Sequence, residues 1–238
     1  MKTLNFQFLL LYVILLIPSC DQNSHEPEIA DQTFYLDENS KSGTLVGKIE
    51  ADDLDEQETL SFEILEGNTN DAFILDNKTG DLLVNNTSVL DYEKIKRIDM
   101  QILVSDNHPN DPLESSANIS VVLNNLNEHA PVIEDQAFTV EERSLKGTVI
   151  GNIVATDPDS GQTLSFRIES GNENQVLQLD SLTGEISVKD SAWFDYTINQ
   201  ELVCMVSVCD NDSKNPFRSF ALITIEVEDV PFLIIDLE

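Results

Sequence analysis

Acidic side chains in this 238-residue chain fall in short clusters rather than evenly along the sequence. The clusters are Asp37-Glu38, Asp52-Asp53-Leu54-Asp55, Asp91-Tyr92-Glu93, Asp106, Glu141-Glu142, Asp157-Pro158-Asp159, Asp195 and Asp210. Most of them flank segments with strand character, so the ends of several strands would bring them together. Clustered carboxylates repel one another unless a cation joins them. The pattern suits Ca²⁺, which takes roughly six to eight oxygen ligands, and a solvated acidic rim is the alternative.

The overall charge narrows the classes of partner. The chain has 13 Lys and Arg residues against 44 Asp and Glu residues, a formal charge of −31. Contact with nucleic-acid phosphates or an anionic bilayer surface needs a basic protein surface. The composition therefore argues against nucleic acid as a partner and leaves a solvated acidic surface or cation binding.

The sequence repeats itself at an offset of 104 residues. Residues that recur at this offset are Pro27 and Pro131, Phe34 and Phe138, Gly47 and Gly151, Asp53 and Asp157, Asp55 and Asp159, Asp91 and Asp195, and Asp106 and Asp210. No gap is needed between residues 27 and about 126. Two homologous units of about 100 residues therefore follow each other almost without a linker, over residues 27–130 and 131–238.

Each unit has the signals of β structure. Apolar and polar residues alternate over residues 60–64, and Ile98, Met100, Ile102 and Val104 share one strand face. The Thr79-Gly80 pair is typical of a hairpin turn. Short strands separated by turns over about 100 residues predict an all-β fold of two tandem Greek-key β-sandwiches, immunoglobulin-like and in an elongated arrangement.

The motifs and their order resemble the cadherin repeat over residues 27–238. They are Leu36-Asp37-Glu38-Asn39, Ala51-Asp52-Asp53-Leu54-Asp55, Leu90-Asp91-Tyr92-Glu93, Val104-Ser105-Asp106, Asn125-Leu126-Asn127-Glu128-His129-Ala130-Pro131, Ala155-Thr156-Asp157-Pro158-Asp159 and Val208-Cys209-Asp210. Each motif alone is weak, but their order and spacing are specific, and several recur in the second unit.

The resemblance implies Ca²⁺ between the two repeats, as the cofactor of one full site. Its implied ligands are Glu38, Asp91 and Glu93 from the first repeat, Asn125, Asn127, Glu128 and the backbone carbonyl of His129 from the linker, and Asp157, Asp159 and Asp210 from the second repeat. The linker departs from the family pattern, because Asn125 and Glu128 stand where the family has Asp. We therefore expect two or three ions.

The two outer ends of the pair are expected to lack a full site. Asp53, Asp55 and Asp106 lie at the start of the first repeat with no repeat before them. At the far end of the second repeat, Thr197 replaces the Glu of the Leu-Asp-x-Glu motif, beside Glu142, Asp195 and Asp229.

The N-terminal segment has the features of an export signal. Lys2 precedes a short apolar run that ends at Ile17-Pro18-Ser19-Cys20. This end resembles the lipobox of bacterial lipoproteins, which implies a signal peptide over residues 1–19, a lipid on Cys20 and a tether over residues 20–26. The chain would then be exported and anchored at the cell surface, as an outer-membrane lipoprotein. An ordinary secretory signal is the alternative.

No enzyme motif is present among the histidines and cysteines of the sequence. The predicted function is a calcium-binding cell-surface adhesion or interaction module, in which Ca²⁺ at the junction stiffens the two sandwiches. Homophilic adhesion is implied by the resemblance. Two alternatives stay open: a carbohydrate- or matrix-binding accessory lipoprotein, and a calcium-stiffened spacer. The partner would be a protein, including a second copy of the chain, or a carbohydrate.

Overall fold

The structure is a computed structural model that describes residues 23–55 and 59–231. The predicted signal peptide, Cys20 and the C-terminal residues 232–238 lie outside the described residues.

The chain forms two units with the same series of strands. The strands of the first unit are β1 (Glu28–Ile29), β2 (Gln32–Asp37), β3 (Leu45–Lys48), β4 (Ala51–Asp52), β5 (Ser61–Glu66), β6 (Phe73–Leu75), β7 (Asp81–Val84), β8 (Arg97–Ser105) and β9 (Glu114–Asn124). Those of the second are β10 (Val132–Ile133), β11 (Gln136–Glu141), β12 (Val149–Asn152), β13 (Ala155–Thr156), β14 (Ser165–Ser170), β15 (Leu177–Leu179), β16 (Glu185–Val188), β17 (Glu201–Cys209) and β18 (Arg218–Glu228). Each strand of the second unit begins 104 residues after its counterpart, so the sequence repeat is also a structural repeat.

Each unit is a sandwich of a four-stranded and a three-stranded sheet. The first unit has the orders β2-β9-β8-β5 and β3-β7-β6, and the second has β11-β18-β17-β14 and β12-β16-β15. Short pairs, β1 with β4 and β10 with β13, complete the units. Three 3₁₀ turns, Thr69–Asp71, Thr87–Val89 and Ser191–Trp193, lie in the connections. The predicted all-β class with two sandwiches is confirmed.

One strand pair in each four-stranded sheet is parallel, and the other pairs are antiparallel. β2 pairs parallel with β9, and β11 pairs parallel with β18. Because the chain enters each unit at one end and leaves at the other, its first long strand and its last strand run in the same direction. The ends of β2 and β9 therefore reach the junction side by side, where the backbone N–H of Glu38 donates to the carbonyl of Asn124 at 3.1 Å.

Alternation of apolar and polar residues builds both cores. On β8 the side chains of Ile98, Met100, Ile102 and Val104 are buried, as the alternation predicted. On β18 the side chains of Ala221, Ile223, Ile225 and Val227 are also buried. Burying one such side chain stabilises a fold by about 1.5–3 kcal/mol, so each sandwich has its own continuous core.

The two described cysteines are free thiols. Cys204 is buried in the second core, and Cys209 is partly exposed at the end of β17. Burial raises the pKa of Cys204 to about 11, so this thiol is unreactive in the folded chain. Trp193 packs against the same core.

Gly151 on β12 is required because Phe138 of β11 packs directly against its backbone. A Cβ atom added at residue 151 would lie 2.4 Å from Cδ1 of Phe138. We predict that Gly151→Ala lowers the stability of the second repeat by about 1–3 kcal/mol through overpacking, measured by thermal unfolding. Phe138→Leu in the same chain should restore part of the loss. Asn152→Ala, on an exposed neighbour, is the control, and an equal loss there would contradict the packing explanation.

Candidate metal centre

The junction between the two sandwiches is lined by the ends of strands from both units. Glu38 directly follows β2, and the linker residues follow β9. From the second unit, Asp157 follows β13 and Asp210 follows β17. The direction of these four strands brings the sequence-predicted acidic residues to one end of each sandwich.

Glu38 is the buried carboxylate on the first-repeat side of the junction. It is only 1% exposed. Its Oε2 accepts a hydrogen bond from the backbone N–H of Tyr92 at 2.6 Å, and its Oε1 accepts one from that of Leu126 at 2.8 Å. Burial raises the pKa of Glu38; the two hydrogen bonds oppose this rise, and the carboxylates of Glu128 and Glu93 add to it.

Three glutamates from different segments converge there. Carboxylate oxygens of Glu38, Glu93 and Glu128 lie within 4.8 Å of one another. None of the ion pairs found among the described residues involves any of these three. Three converging carboxylates with no cationic side chain paired to them are a suitable donor set for a hard divalent cation.

Asp159 connects the linker to the second repeat. It is 3% exposed, and its Oδ2 accepts the backbone N–H groups of Glu128 and His129, each at 2.9 Å. Its Oδ1 contacts Nδ1 of the His129 ring at 2.7 Å. The hydrogen bond to Asp159 raises the pKa of His129, and nearby carboxylates raise it further. The structure therefore brings together Glu128, His129 and Asp159, which were predicted as ligands.

Asp157 has one carboxylate oxygen without a partner. Its Oδ1 accepts the backbone N–H of Asp159 at 2.9 Å. Its Oδ2 is buried and has no hydrogen-bond partner among the described residues. Burial raises the pKa of Asp157, as do the charges of Asp159 and Asp210. A buried unpaired carboxylate oxygen is costly, and a cation at this position would remove the cost. The residues present therefore fit a metal ion.

Hydrogen bonds between the units hold the same residues in place. Nδ2 of Asn127 donates to Oδ2 of Asp210 at 3.1 Å. Nδ2 of Asn125 donates to the carbonyl of Ser160 at 3.0 Å, and the backbone N–H of Ser160 donates to Oε1 of Glu93 at 3.0 Å. These hydrogen bonds connect the linker and both repeats.

Asp91, a predicted ligand, is paired with a lysine and does not join the cluster of glutamates. Both oxygens of Asp91 accept hydrogen bonds from Lys94, one from its ammonium group at 2.5 Å and one from its backbone N–H at 3.1 Å. The pKa of Asp91 is lowered, first by this ammonium group.

Two polar side chains at the junction, those of Asn39 and Gln162, were not predicted as part of the site. Asn39 donates to Oε2 of Glu128 at 2.6 Å, and Gln162 donates to Oδ1 of Asn127 at 2.7 Å. Asn39 belongs to a motif that was recognised, so its position carried a signal. Gln162 lies in a loop, and only the tertiary structure places it against the linker.

At the far end of the second repeat, unlike at the junction, a cationic side chain is paired with the buried glutamate. Glu142, the counterpart of Glu38, is buried and forms an ion pair with Arg143. In the first repeat, Asn39 occupies the position of Arg143. A fixed guanidinium thus provides the positive charge that the glutamates of the junction lack.

The comparisons with known proteins agree with this geometry. The family model for the cadherin domain matches residues 32–124 and again residues 136–228. The chain belongs to the cadherin family. The two matches lie within the two sandwiches, so both are cadherin domains.

Relatives and solved structures support the same family. The chain is 32% identical to Cadherin-86C of Drosophila melanogaster over 229 residues, which is 87% of this chain and 12% of that protein. It is 34% identical to Protocadherin Fat 4 of Mus musculus over 160 residues, which is 66% of this chain and 3% of that protein. The ectodomain of human Desmocollin-1 superposes with a TM-score of 0.69 at 25% identity, over 88% of this chain and 43% of that one.

Cadherin domains are adhesion modules and not enzymes. The predicted absence of catalysis agrees with this membership. The cadherin homologues are cell-surface or extracellular proteins. In the part of the chain that the structure describes, no helix has the length and apolar character needed to span a bilayer.

Asp157 offers a sharp test of the junction. We predict that Asp157→Asn raises the stability of the calcium-free protein, because it removes a buried unpaired charge. The gain is about 1 kcal/mol or more, measured as the melting temperature in chelator. Asp195→Asn is the control, because the Asp195 carboxylate is hydrogen-bonded by Thr197 at the far end of the same repeat. A loss of stability in Asp157→Asn would show that this carboxylate is already compensated.

Proposed function

We propose that the chain is a calcium-dependent adhesion module, in which Ca²⁺ at the junction joins the two cadherin domains into one stiff unit. Two observations carry the proposal: the convergence of Glu38, Glu93 and Glu128, and the buried Oδ2 of Asp157, which has no hydrogen-bond partner among the described residues. The donors come from both repeats and from the linker. An ion that they share would therefore resist bending at the linker.

The residues that would hold Ca²⁺ are those placed at the junction. They are Glu38, Glu93, Asn125, Asn127, Glu128, the backbone carbonyl of His129, Asp157, Asp159 and Asp210. Asp91 would join them by exchanging its ion pair with Lys94 for the metal ion. Oxygen donors of this kind are what Ca²⁺ prefers. Without the ion, repulsion among these carboxylates opposes a close junction. A stiff pair would present its binding surface with a smaller entropy cost than a hinged pair.

The test is thermal unfolding of residues 21–238, which contain every described strand, against free Ca²⁺. A ligand of the native state stabilises it by RT ln(1 + [L]/Kd). We expect the melting temperature of the wild-type chain to rise at millimolar or lower Ca²⁺. The variant Asp157→Ala/Asp159→Ala should lose this rise, and the variant Asp195→Asn should retain it. Small-angle scattering should show a narrower range of interdomain distances with Ca²⁺ than with chelator. An unchanged melting temperature in the wild-type chain would refute the proposal.

The adhesive surface that we propose is an apolar face on the second repeat. Val203 and Met205 of β17 and Phe220 and Leu222 of β18 are 42%, 39%, 54% and 45% exposed. Met205 lies directly opposite Leu222 in the antiparallel ladder. An exposed apolar patch with no explanation in the fold marks an interaction site.

The first repeat shows that the fold itself does not need this patch. At the positions equivalent to Val203, Met205, Phe220 and Leu222, the first repeat has Asp99, Gln101, Ser116 and Asn118. The two sheets are otherwise built on the same strands and register. The apolar face is therefore a property of the second repeat alone.

A second copy of this chain is the occupant that we propose for the patch. The chain has a net charge of −31, so contacts through most other surfaces bring carboxylates of two copies together. The four patch residues carry no charge, and repulsion is smallest where such faces meet. A protocadherin structure with a TM-score of 0.76 to this chain is described as a cis-dimer, which is consistent with self-association by this fold. The patch has one large aromatic side chain among three aliphatic ones, which favours a protein over a sugar.

Self-association is tested by replacing the patch with the residues of the first repeat. Met205→Gln/Phe220→Ser/Leu222→Asn should weaken dimer formation at least tenfold in calcium-containing buffer, measured by analytical ultracentrifugation. The control is Ile74→Gln, on the other sheet of the first repeat. It replaces an exposed apolar side chain with the residue at the equivalent position of the second repeat, Gln178. A wild-type chain that stays monomeric at high concentration would contradict homophilic binding. For a monomeric chain, retention on a polysaccharide column would favour the carbohydrate-binding alternative. A chain that neither dimerises nor is retained on the column would favour the spacer.

We also propose that the chain is exported and carries a lipid on Cys20, as the lipobox-like end of the signal segment implies. The test is metabolic labelling with a clickable fatty acid in a bacterial host. Label in the wild-type chain and none in Cys20→Ser would support the lipid anchor. An unlabelled, processed wild-type chain would support ordinary secretion.

A further inference from the structure

The outer face of the four-stranded sheet in the first repeat carries a hydrogen-bonded network of three polar side chains. The hydroxyl of Ser120 on β9 donates to Oδ1 of Asp99 on β8 at 2.7 Å and accepts a hydrogen bond from Nη2 of Arg97 at 2.8 Å. Nε of Arg97 donates to the same oxygen of Asp99 at 2.5 Å. The hydrogen bond from Ser120, followed by that from Arg97, lowers the pKa of Asp99. Because Ser120 is only 4% exposed, it holds the guanidinium and the carboxylate in fixed positions.

The network belongs to a polar groove in the same face. The groove has a volume of about 380 Å³ and is lined by Asp31, Gln32, Thr33, Arg97, Asp99, Asn118 and Ser120. Among the described residues, the hydroxyl of Thr33 and the carboxamide of Asn118 have no hydrogen-bond partner. Both groups can donate and accept hydrogen bonds. The groove therefore offers a ligand two fixed charged groups and two unpaired polar groups.

An exposed aromatic side chain lies next to this groove. Tyr35 is 68% exposed and follows Thr33 by two residues on β2, so both side chains lie on the same face of the sheet. Tyr35 lies opposite Val122 of β9, and Val122 lies opposite Arg97 of β8. The ring and the guanidinium thus belong to one row across three strands. The neighbouring Phe34 packs against the core, which leaves the ring of Tyr35 accessible to a ligand.

The second repeat shows that the fold does not require these side chains. Thr33, Tyr35, Arg97, Asp99, Asn118 and Ser120 correspond, in this order, to Ala137, Thr139, Glu201, Val203, Leu222 and Thr224. The strands that carry them pair in the same register in both repeats. Because the same sheet forms without the network, the network is explained by what the first repeat binds and not by how it folds.

The chemistry of the groove favours a neutral ligand that is rich in hydroxyl groups. An anion would meet Asp31 and Asp99 in the groove and the charge of −31 on the chain, and a cation would meet the guanidinium of Arg97. An apolar ligand would remove water from these charged groups without replacing its hydrogen bonds, which is costly. A hydroxyl group can accept from the guanidinium and donate to the carboxylate at once, as that of Ser120 does.

We propose that this face of the first repeat binds a neutral saccharide. Arg97, Asp99 and Asn118 would form hydrogen bonds with its hydroxyl groups, and Tyr35 would pack against the apolar C–H face of a sugar ring. A tyrosine suits such a ligand because its ring is apolar and its tip is polar. Since Ser120 already fixes two of the binding groups, less entropy is lost when the sugar binds. The site shares no residue with the junction or with the apolar face of the second repeat, so it does not rest on the proposed function.

The experiment screens residues 21–238 on an array of immobilised neutral glycans: dextran, laminarin, mannan and galactan. Polygalacturonate on the same array is the anionic comparison. We expect binding to at least one neutral glycan and none to polygalacturonate. Calorimetric titration with a soluble oligosaccharide of the bound glycan then gives the affinity of the wild-type chain and of the variants.

The variants give the first repeat the residues of the second. Tyr35→Thr and Asp99→Val should each weaken binding of the oligosaccharide by about tenfold or more, because one removes the ring and the other an acceptor of the network. Both replaced side chains lie on the outer face of the sheet, and melting temperatures check that the variants fold. Ile74→Gln, on the other sheet of the same repeat, is the control and should bind as the wild-type chain does.

Three outcomes would overturn the proposal. The wild-type chain could bind none of the neutral glycans, or it could prefer polygalacturonate, which would mean that the groove does not favour a neutral ligand. Binding could also remain at the wild-type affinity in both Tyr35→Thr and Asp99→Val, which would place the glycan elsewhere on the chain. Amide chemical shifts in NMR spectra provide the positive identification: addition of the oligosaccharide should shift the signals of residues 33–35 and 97–99 and leave those of residues 201–203 unchanged.

Discussion

Repulsion among carboxylates that the fold buries at the ends of its strands is the constraint on which the rest of the molecule depends. Glu38 and Asp159 are almost completely buried, and Asp157 keeps an unpaired oxygen. The cores of the two sandwiches could form without these acids. Because burial of charge opposes folding unless it is compensated, these residues favour the cation that we propose at the junction.

The repeat provides a comparison within one molecule. Both domains share strands, register and core, so a difference between equivalent positions reflects what each domain does and not how it folds. Two differences stand out. Arg143 replaces Asn39 beside the buried glutamate at the base of the second domain, and apolar side chains such as Leu222 replace polar ones such as Asn118 on the sheet face. Charge is thus compensated differently at each end, and the apolar face that we propose as the contact surface lies on the second domain.

Much of the candidate site could be predicted because the relevant motifs are local and adjoin strands. The strand that ends at Asp37 places Glu38 at the end of the sandwich, and the strand that ends at Cys209 does the same for Asp210. The sequence does not predict the hydrogen-bond partner of a side chain that has several polar groups within reach. The pairing of Asp91 with Lys94 and the contact of Gln162 with Asn127 depend on rotamers and loop paths, for which the sequence pattern has no signal.

The sequence by itself determined the class of fold, the two repeats and the offset between them, and the residue types that can bind a cation. Alternation, turn residues and the 104-residue offset are properties of the chain alone. Tertiary structure decided which acids meet and which stay unpaired. It also decided that residues 23–25 fold back on Asp55 and Asp106 as the linker does on Asp159 and Asp210. The physical reason is that hydrogen bonding and burial are set by contacts between distant segments, and only the folded chain brings those segments together.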